Sequence, residues 1–168
     1  MSYASTLPYA RDALVTKLTA RAGLSGVKVS RTLPRLEGDV QSDAGAWEAI
    51  WLGRDGADDA EFDSVQPFLT AGAPRWDERF TLWSTIQVLK RETADGLDDA
   101  EARAWALAYE FAGAVSADLT LGVSITGEVL MFQVEEIEWA DTGRLLAKGG
   151  AGHRLEVGLR CYARLRIT

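Results

Sequence analysis

The chain is poor in the side chains from which most protein active sites are built. Its 168 residues include one cysteine, Cys161, and one histidine, His153. A single cysteine cannot form a disulfide within the chain, and together the two residues cannot supply the four ligands of a structural zinc site. Nucleophilic catalysis by a Ser–His or Cys–His pair would have to use His153, which lies in a glycine-rich stretch that we expect to be a loop. The sequence therefore predicts no catalytic residues, no metal and no cofactor.

Basic residues are also in deficit. Lysine and arginine number 18 against 25 aspartates and glutamates, which gives a net charge of −7. Proteins that hold nucleic acid through its phosphates need a basic face, so this class is disfavoured. An acidic surface repels DNA, and it would suit a channel through which DNA passes without being bound.

Long apolar segments are missing as well. No run approaches the roughly 20 residues that a membrane helix needs, and the first six residues lack the features of a signal peptide. We therefore expect a protein made in a cytosol, with no membrane partner. The length, and the shares of 47% hydrophobic and 26% charged residues, are typical of one globular domain over residues 1–168.

Two segments have the spacing of helices. The first is predicted over about 8–22, because Pro8 suits a first turn and apolar residues recur at helical intervals up to Gly23. The second is predicted from Asp98 to about residue 120, with Asp98 and Glu101 spaced as in a capping box. We expect its apolar stripe to consist of Ala102, Trp105, Tyr109, Ala112 and Leu119.

The remaining pattern is that of strands. Short strands are predicted at 27–30 and 47–53, and a long strand at 79–92 has alternating apolar residues. Trp83 and Leu89 interrupt its polar face, which indicates that this face is partly covered too. Strands at 129–139 and 155–167 predict a hairpin with a long loop over 140–153. The expected fold is α+β: a mainly antiparallel sheet, two helices packed on one face, and a long C-terminal hairpin.

Three features leave alternatives open. Trp47 and Trp51 share one strand face. They could belong to the core, to a subunit interface or to a platform on which a sugar stacks. Glu136 and Glu138 share a face and could form a catalytic carboxylate pair, although surface acids explain them more simply. The aspartates of segment 54–59 lack the closing glutamate of an EF-hand, so we interpret this segment as a solvated loop.

Cys161 lies on the apolar face of its strand, as a buried thiol would.

The order of elements resembles that of the bacteriophage tail terminator family, and several segments are similar to parts of that family. These segments are Arg11–Leu18, Gly26–Ser30, Glu48–Gly53, Glu101–Leu107 and Leu155–Arg164. The resemblance implies a structural virion protein of the tail or neck, assembled in the host cytoplasm. Such a protein forms a homohexameric ring on the tail tube, ends tube polymerisation and joins the tail to the head connector. DNA passes through the ring without specific binding, and there are no catalytic residues to carry over.

A ring that closes by rotation needs two different patches on each subunit. Our candidates are the strand face with Trp47 and Trp51, and the side of the last strand with Tyr162, Arg164 and Arg166. The hairpin loop is a candidate contact with the tube, through Arg144, Leu145, Leu146 and Lys148. Three alternatives remain: another head-to-tail joining or tail-tube protein, a tryptophan-rich ligand-binding module, and a small enzyme that uses acidic residues.

Overall fold

A computed structural model of the chain describes residues 6–32, 47–53, 60–68, 75–91, 95–120, 129–143 and 150–166. These residues form two α-helices, a short 3₁₀ turn and six strands. The helices are α1 (Leu7–Ala20) and α2 (Gly96–Ala117), and the 3₁₀ turn is Ala22–Leu24. The strands are β1 (Lys28–Ser30), β2 (Trp47–Leu52), β3 (Ala60–Phe68), β4 (Arg75–Arg91), β5 (Val129–Gly143) and β6 (Gly150–Arg166).

The six strands form one sheet around the long strand β4. On one side, β6 pairs with β4 along its whole length and then with β5. On the other side, β3 pairs with the first half of β4 and β2 with the second half. Only β1 and β2 run parallel, and the other pairs are antiparallel. The α+β class with a mainly antiparallel sheet is therefore confirmed.

Both helices pack on the same face of the sheet, which we call the helical face. Its core includes Phe80 and Leu82 from β4 and Leu159 from β6, all completely buried. Each large apolar side chain moved from water into such a core contributes about 1.5–3 kcal/mol. The predicted alternation in β4 is confirmed, since its apolar residues that face the helices are Phe80, Leu82, Ile86 and Val88.

Helix α1 starts and ends slightly earlier than predicted. Pro8 lies in its first turn, and the helix stops at Ala20 rather than at residue 22. A 3₁₀ turn follows, and the chain reverses at Gly26, whose φ of 83° favours glycine. The predicted apolar stripe is buried at Ala10, Leu14 and Leu18.

Helix α2 buries a different stripe from the one predicted. Tyr109 is 70% exposed and Leu119 is 45% exposed. Trp105 is only partly buried at the edge of the core. Two sides of this alanine-rich helix have apolar residues at helical spacing, so the spacing alone does not predict which side is buried. The side that packs on the sheet is the one whose alanines permit close approach. The buried residues are Gly96, Ala100, Ala104, Leu107, Ala108, Phe111, Ala114 and Val115.

The predicted cap of α2 is also wrong. The helix begins at Gly96 after Asp95, with no side-chain capping bond. Asp98 and Asp99 lie in the first turn instead. Their charges there are favourable to the helix dipole.

Strand β3 has no counterpart in the prediction. Its pairing with β4 is interrupted by a bulge between Phe62 and Ser64, and Pro67 lies near its end. A proline and a bulge are compatible with a strand that pairs on one side only. Both features weaken the alternating pattern by which a strand is recognised in sequence.

The C-terminal hairpin is longer than predicted and its connection is shorter. Thr142 pairs with His153, and Gly143 pairs with Gly152, whereas both segments were predicted as loop. On its other side, β6 continues to pair with β4 through Gly150. The backbone of His153 therefore lies in a strand, and the connection is reduced to residues 144–149. Pairing on both sides of β6 explains how this glycine-rich segment is held in a strand.

Candidate interaction surfaces

The face of the sheet opposite the helices, which we call the second face, is divided into two halves. In one half the side chains are buried, although neither of the described helices lies on this face. Trp47, Ala49, Trp51 and Leu89 form a cluster there, and the two indoles have a centroid distance of 6.3 Å. Arg154 lies over Trp51 with its guanidinium carbon 5.9 Å from the ring centroid. Burial lowers the pKa of Arg154, and the nearby charge of Glu156 partly opposes that shift.

Trp83 continues this covered half toward β6. Its cross-strand neighbour is Gly158, and a β-carbon added to Gly158 would lie 3.0 Å from a carbon of the indole ring. A side chain at position 158 would therefore fit only if the indole ring of Trp83 shifted slightly. This arrangement accounts for the apolar Trp83 on a strand face that otherwise reads as polar.

The predicted sharing of one face by Trp47 and Trp51 is confirmed, and their surroundings limit what they can do. Trp47 is 9% exposed and Trp51 is 4% exposed. Buried indoles provide no platform on which a sugar could stack. Their role in a subunit interface stays a prediction, and the burial within the chain means that they would contribute little area to it.

The other half of the second face is open. One cross-strand row consists of Met131, Tyr162 and Arg79, and the next row includes Gln133 and Arg160. Met131 is 43% exposed, and the guanidinium carbon of Arg79 lies 5.4 Å from the Tyr162 ring centroid. We define Arg79, Met131, Gln133, Arg160 and Tyr162 as the open sheet face. Tyr162 is thus placed on a surface that is accessible to a partner.

A bulge in β5 adds an ion pair to the open sheet face. The register shifts between Val134 and Glu136, and the carboxylate of Glu135 reaches Arg160 at 2.5 Å. Both side chains are substantially exposed, so the pair adds little stability. Of the two arginines of the open sheet face, Arg160 is therefore neutralised, and Arg79 has no carboxylate partner among the described residues.

The other predicted contact residues are described only in part. The backbones of Arg164 and Arg166 continue β6 and pair with Asp77 and Arg75, but their side chains lie outside the described part of the structure. The predicted tube-contact residues also lie outside it. They are Arg144, Leu145, Leu146 and Lys148.

A second accessible patch lies on α2, on the side away from the sheet. Trp105 and Tyr109 contact each other with ring centroids 6.3 Å apart. Ala102 and Ala106 are exposed beside them, one turn apart. We call these four residues the α2 patch. It carries no charge, and the sequence pattern did not predict it because the helical spacing of the same aromatics is also that of a core stripe.

Ion pairs fix the rotation of α2 and so keep the α2 patch outward. Glu48 of β2 accepts two-pronged hydrogen bonds from Arg103 at 2.8–3.0 Å and another from Lys90 at 3.1 Å. Burial acts to raise the pKa of Glu48, but these hydrogen bonds and positive charges outweigh it and hold the pKa below the usual value.

Two further ion pairs join α1 and the residue after it to α2 and the residue after that helix. Arg21 donates to Glu110 at 2.8 Å, and Lys17 donates to Asp118 at 2.8 Å. Hydrogen bonds from Lys17 and Thr120 lower the pKa of Asp118 to about 2. These ion pairs to β2, to α1 and to the residue after α1 favour the orientation of α2 in which its aromatic side faces outward.

The residues considered for chemistry are placed as follows. Glu136 and Glu138 share the second face, opposite Gly158 and Glu156. Cys161 is completely buried, as predicted, and burial raises the pKa of its thiol. Within the described ranges no three His, Cys, Asp or Glu side chains are grouped to hold a metal ion, and no described helix is long and apolar enough to cross a membrane.

Comparison with known proteins finds solved structures of similar fold but no match to a family model or a curated protein. Among solved structures, the chain is similar to a chain from the virion of a native gene transfer agent particle. The TM-score is 0.51 with 18% sequence identity, and the match covers 98% of this chain and 100% of the other. At this identity the likeness is one of fold, and it extends over nearly the whole of both chains.

Proposed function

We propose that this chain is a structural virion protein that caps the head-proximal end of a phage tail tube. In this role it forms a homohexameric ring, ends tube polymerisation and joins the tail to the head connector. It works without catalysis or a cofactor, and DNA passes through the ring without being bound.

The observation that carries the proposal is the full-length fold match to a virion chain. The match covers 98% of this chain and 100% of the virion chain, so the two share one fold along almost their whole length. It agrees with the separate resemblance of the sequence to the tail terminator family, which rests on segments from both helices and three strands.

The distribution of surfaces supports a ring. The α2 patch and the open sheet face lie on opposite faces of the sheet, and they differ in shape and chemistry. Two unlike patches are what head-to-tail assembly requires, and such assembly closes when the rotation between subunits completes a turn.

Electron microscopy of the particles that contain this chain would test the proposal. We expect a single six-subunit ring of this chain at the head-proximal end of the tube. Repetition of the chain along the tube would make it a tube protein, and a position on the other side of the connector would make it a different joining protein. Absence of the chain from every particle would overturn a virion function.

The tube contact can be tested through the hairpin connection. We expect that replacing residues 144–149 with a two-residue turn leaves a folded protein that no longer stops tube growth. Circular dichroism would establish folding, and tube lengths measured by microscopy would report capping. If the shortened protein still caps tubes, the proposed tube contact through Arg144, Leu145, Leu146 and Lys148 is wrong.

A further inference from the structure

The α2 patch is an uncharged area on an acidic molecule. Tyr109 is 70% exposed, and no charged residue lies among Ala102, Trp105, Ala106 and Tyr109. Exposed aromatic groups of this kind mark contact surfaces, because tyrosine and tryptophan contribute large apolar area with few rotatable bonds. The two alanines allow a partner surface to approach the helix closely.

The charges of the two surfaces allow them to contact each other, which points to a second copy of the chain as the partner. Two molecules with a net charge of −7 repel each other, so a contact between copies must avoid bringing carboxylates together. The four residues of the α2 patch carry no charge, and the carboxylates beside them, Asp98 and Asp99, need a positive charge on the facing copy. The open sheet face supplies it, since Arg160 is neutralised by Glu135 and Arg79 adds one positive charge.

The two surfaces also complement each other. Met131 and Tyr162 on the open sheet face offer apolar contact to Tyr109, and methionine packs well against aromatic rings. Beside the α2 patch, Asp98 and Asp99 are exposed in the first turn of the helix. They make no ion pair among the described residues, and neither does Arg79. A carboxylate of one copy can therefore pair with the guanidinium of the next.

We propose that the α2 patch of one copy docks on the open sheet face of the next copy, with Tyr109 against Met131 and Tyr162 and with Asp98 or Asp99 near Arg79. The inference rests on the proposed function, because it specifies which surfaces join neighbouring subunits of the ring. Each copy uses its two surfaces with two different neighbours, so the contact is head-to-tail and not symmetric.

Cross-linking distinguishes this arrangement from a symmetric one. Tyr109→Cys and Met131→Cys proteins would be purified separately, mixed and treated with a short bismaleimide, both as free protein and in assembled particles. We expect cross-linked dimers in the mixture and none with either variant alone. The wild-type protein is the blank because Cys161 is buried. A mixture of Met131→Cys with Tyr9→Cys is the matched control, since Tyr9 is 52% exposed on α1.

Cross-linking of Tyr109→Cys with itself would show a symmetric helix-to-helix contact and overturn the proposal. Equal cross-linking of the Tyr9→Cys control would overturn it as well, because the contact would then be unspecific.

A charge placed in the contact gives an independent test. Tyr109→Lys should weaken self-association by about tenfold or more, as expected for loss of a central aromatic contact. Tyr9→Lys should leave it unchanged, and melting temperatures of both variants would show that they remain folded. Unchanged association of Tyr109→Lys would overturn the proposal.

Failure of this contact and failure of the proposed function give different results. A ring at the tube end that lacks the Tyr109–Met131 cross-link would overturn the contact alone. Cross-linked head-to-tail assemblies in the free protein, with no ring at a tube end, would support the contact and overturn the capping function.

Discussion

At the scale of single residues, two polar contacts join the helices to the sheet, and each connects positions that are far apart in the sequence. The buried carboxylate of Glu78 accepts hydrogen bonds from the backbone nitrogen and hydroxyl of Thr6, at 2.8 and 2.6 Å, which attaches the start of α1 to β4. Glu48 joins α2 to the sheet through Arg103. The sequence shows all four residues but not the pairs, because separations of 55 and 72 residues leave no local signal.

The Glu48 link predicts a pH-dependent loss of stability. We expect Glu48→Gln to lower the free energy of unfolding by about 1–3 kcal/mol at pH 7, because a charge-assisted hydrogen bond network is lost. The pKa of Glu48 in the folded state lies below its usual 4.5. The carboxylate therefore contributes stability above pH 4.5, and that contribution fades as the pH falls through the lower folded value. Urea unfolding at pH 7 and pH 3 would measure a difference that shrinks in acid, and a constant difference would contradict this account.

The contact between Trp83 and Gly158 predicts a coupled pair. Gly158→Ala should lower the free energy of unfolding by about 1–3 kcal/mol, since the new methyl group would press against the indole ring and force it to shift. In a Trp83→Leu background the same change should cost less, because the ring that clashes is gone. A double-mutant cycle by chemical denaturation measures the coupling. Equal costs in both backgrounds would show that the indole moves aside freely.

At the scale of elements, α2 illustrates how far periodicity can be used. The alanine content and the acidic first turn predicted a helix close to its observed bounds. The side that packs was predicted wrongly, because Trp105 and Tyr109 carry most of the apolar area on one side, while the buried side consists largely of alanines with Leu107 and Phe111. The side that is buried is the one whose small side chains let the helix approach the sheet closely.

The orientation of α2 predicts opposite responses at two aromatic residues. Phe111→Ala should lower the free energy of unfolding by about 3–5 kcal/mol because it empties part of the core. Tyr109→Ala should change it by less than about 0.5 kcal/mol, as is usual for exposed positions. Thermal or urea unfolding of dilute protein would measure both. A larger loss at Tyr109 would mean that the aromatic side of the helix is the one that packs.

At the scale of the whole molecule, charge and surface chemistry are unevenly distributed. The chain is acidic overall, yet the α2 patch is uncharged and the open sheet face is slightly basic. In the proposed ring these patches would be consumed by subunit contacts, and the acidic remainder would face the channel, the solvent and the other virion proteins. Net charge alone suggested repulsion of DNA, whereas the positions of the patches required the structure.

The charge balance predicts that the free protein does not hold DNA. Fluorescence anisotropy of labelled duplex DNA near physiological salt should stay constant up to about 100 μM protein, a concentration at which non-specific binding proteins respond. A rise in anisotropy that disappears with added salt would indicate a basic surface formed by residues outside the described part, and would contradict the non-stick channel.

The sequence by itself determined the class of the fold, both helices and most of the strands, because these follow from composition and from local periodicity. It also placed Trp47 with Trp51 and buried Cys161 correctly. The tertiary structure alone decided which side of α2 packs, that β3 is a strand, and that residues 150–153 continue β6. It also decided which half of the second face is open, since burial depends on segments that meet only after folding. Pairing and burial are set by distant partners, and no local pattern encodes them.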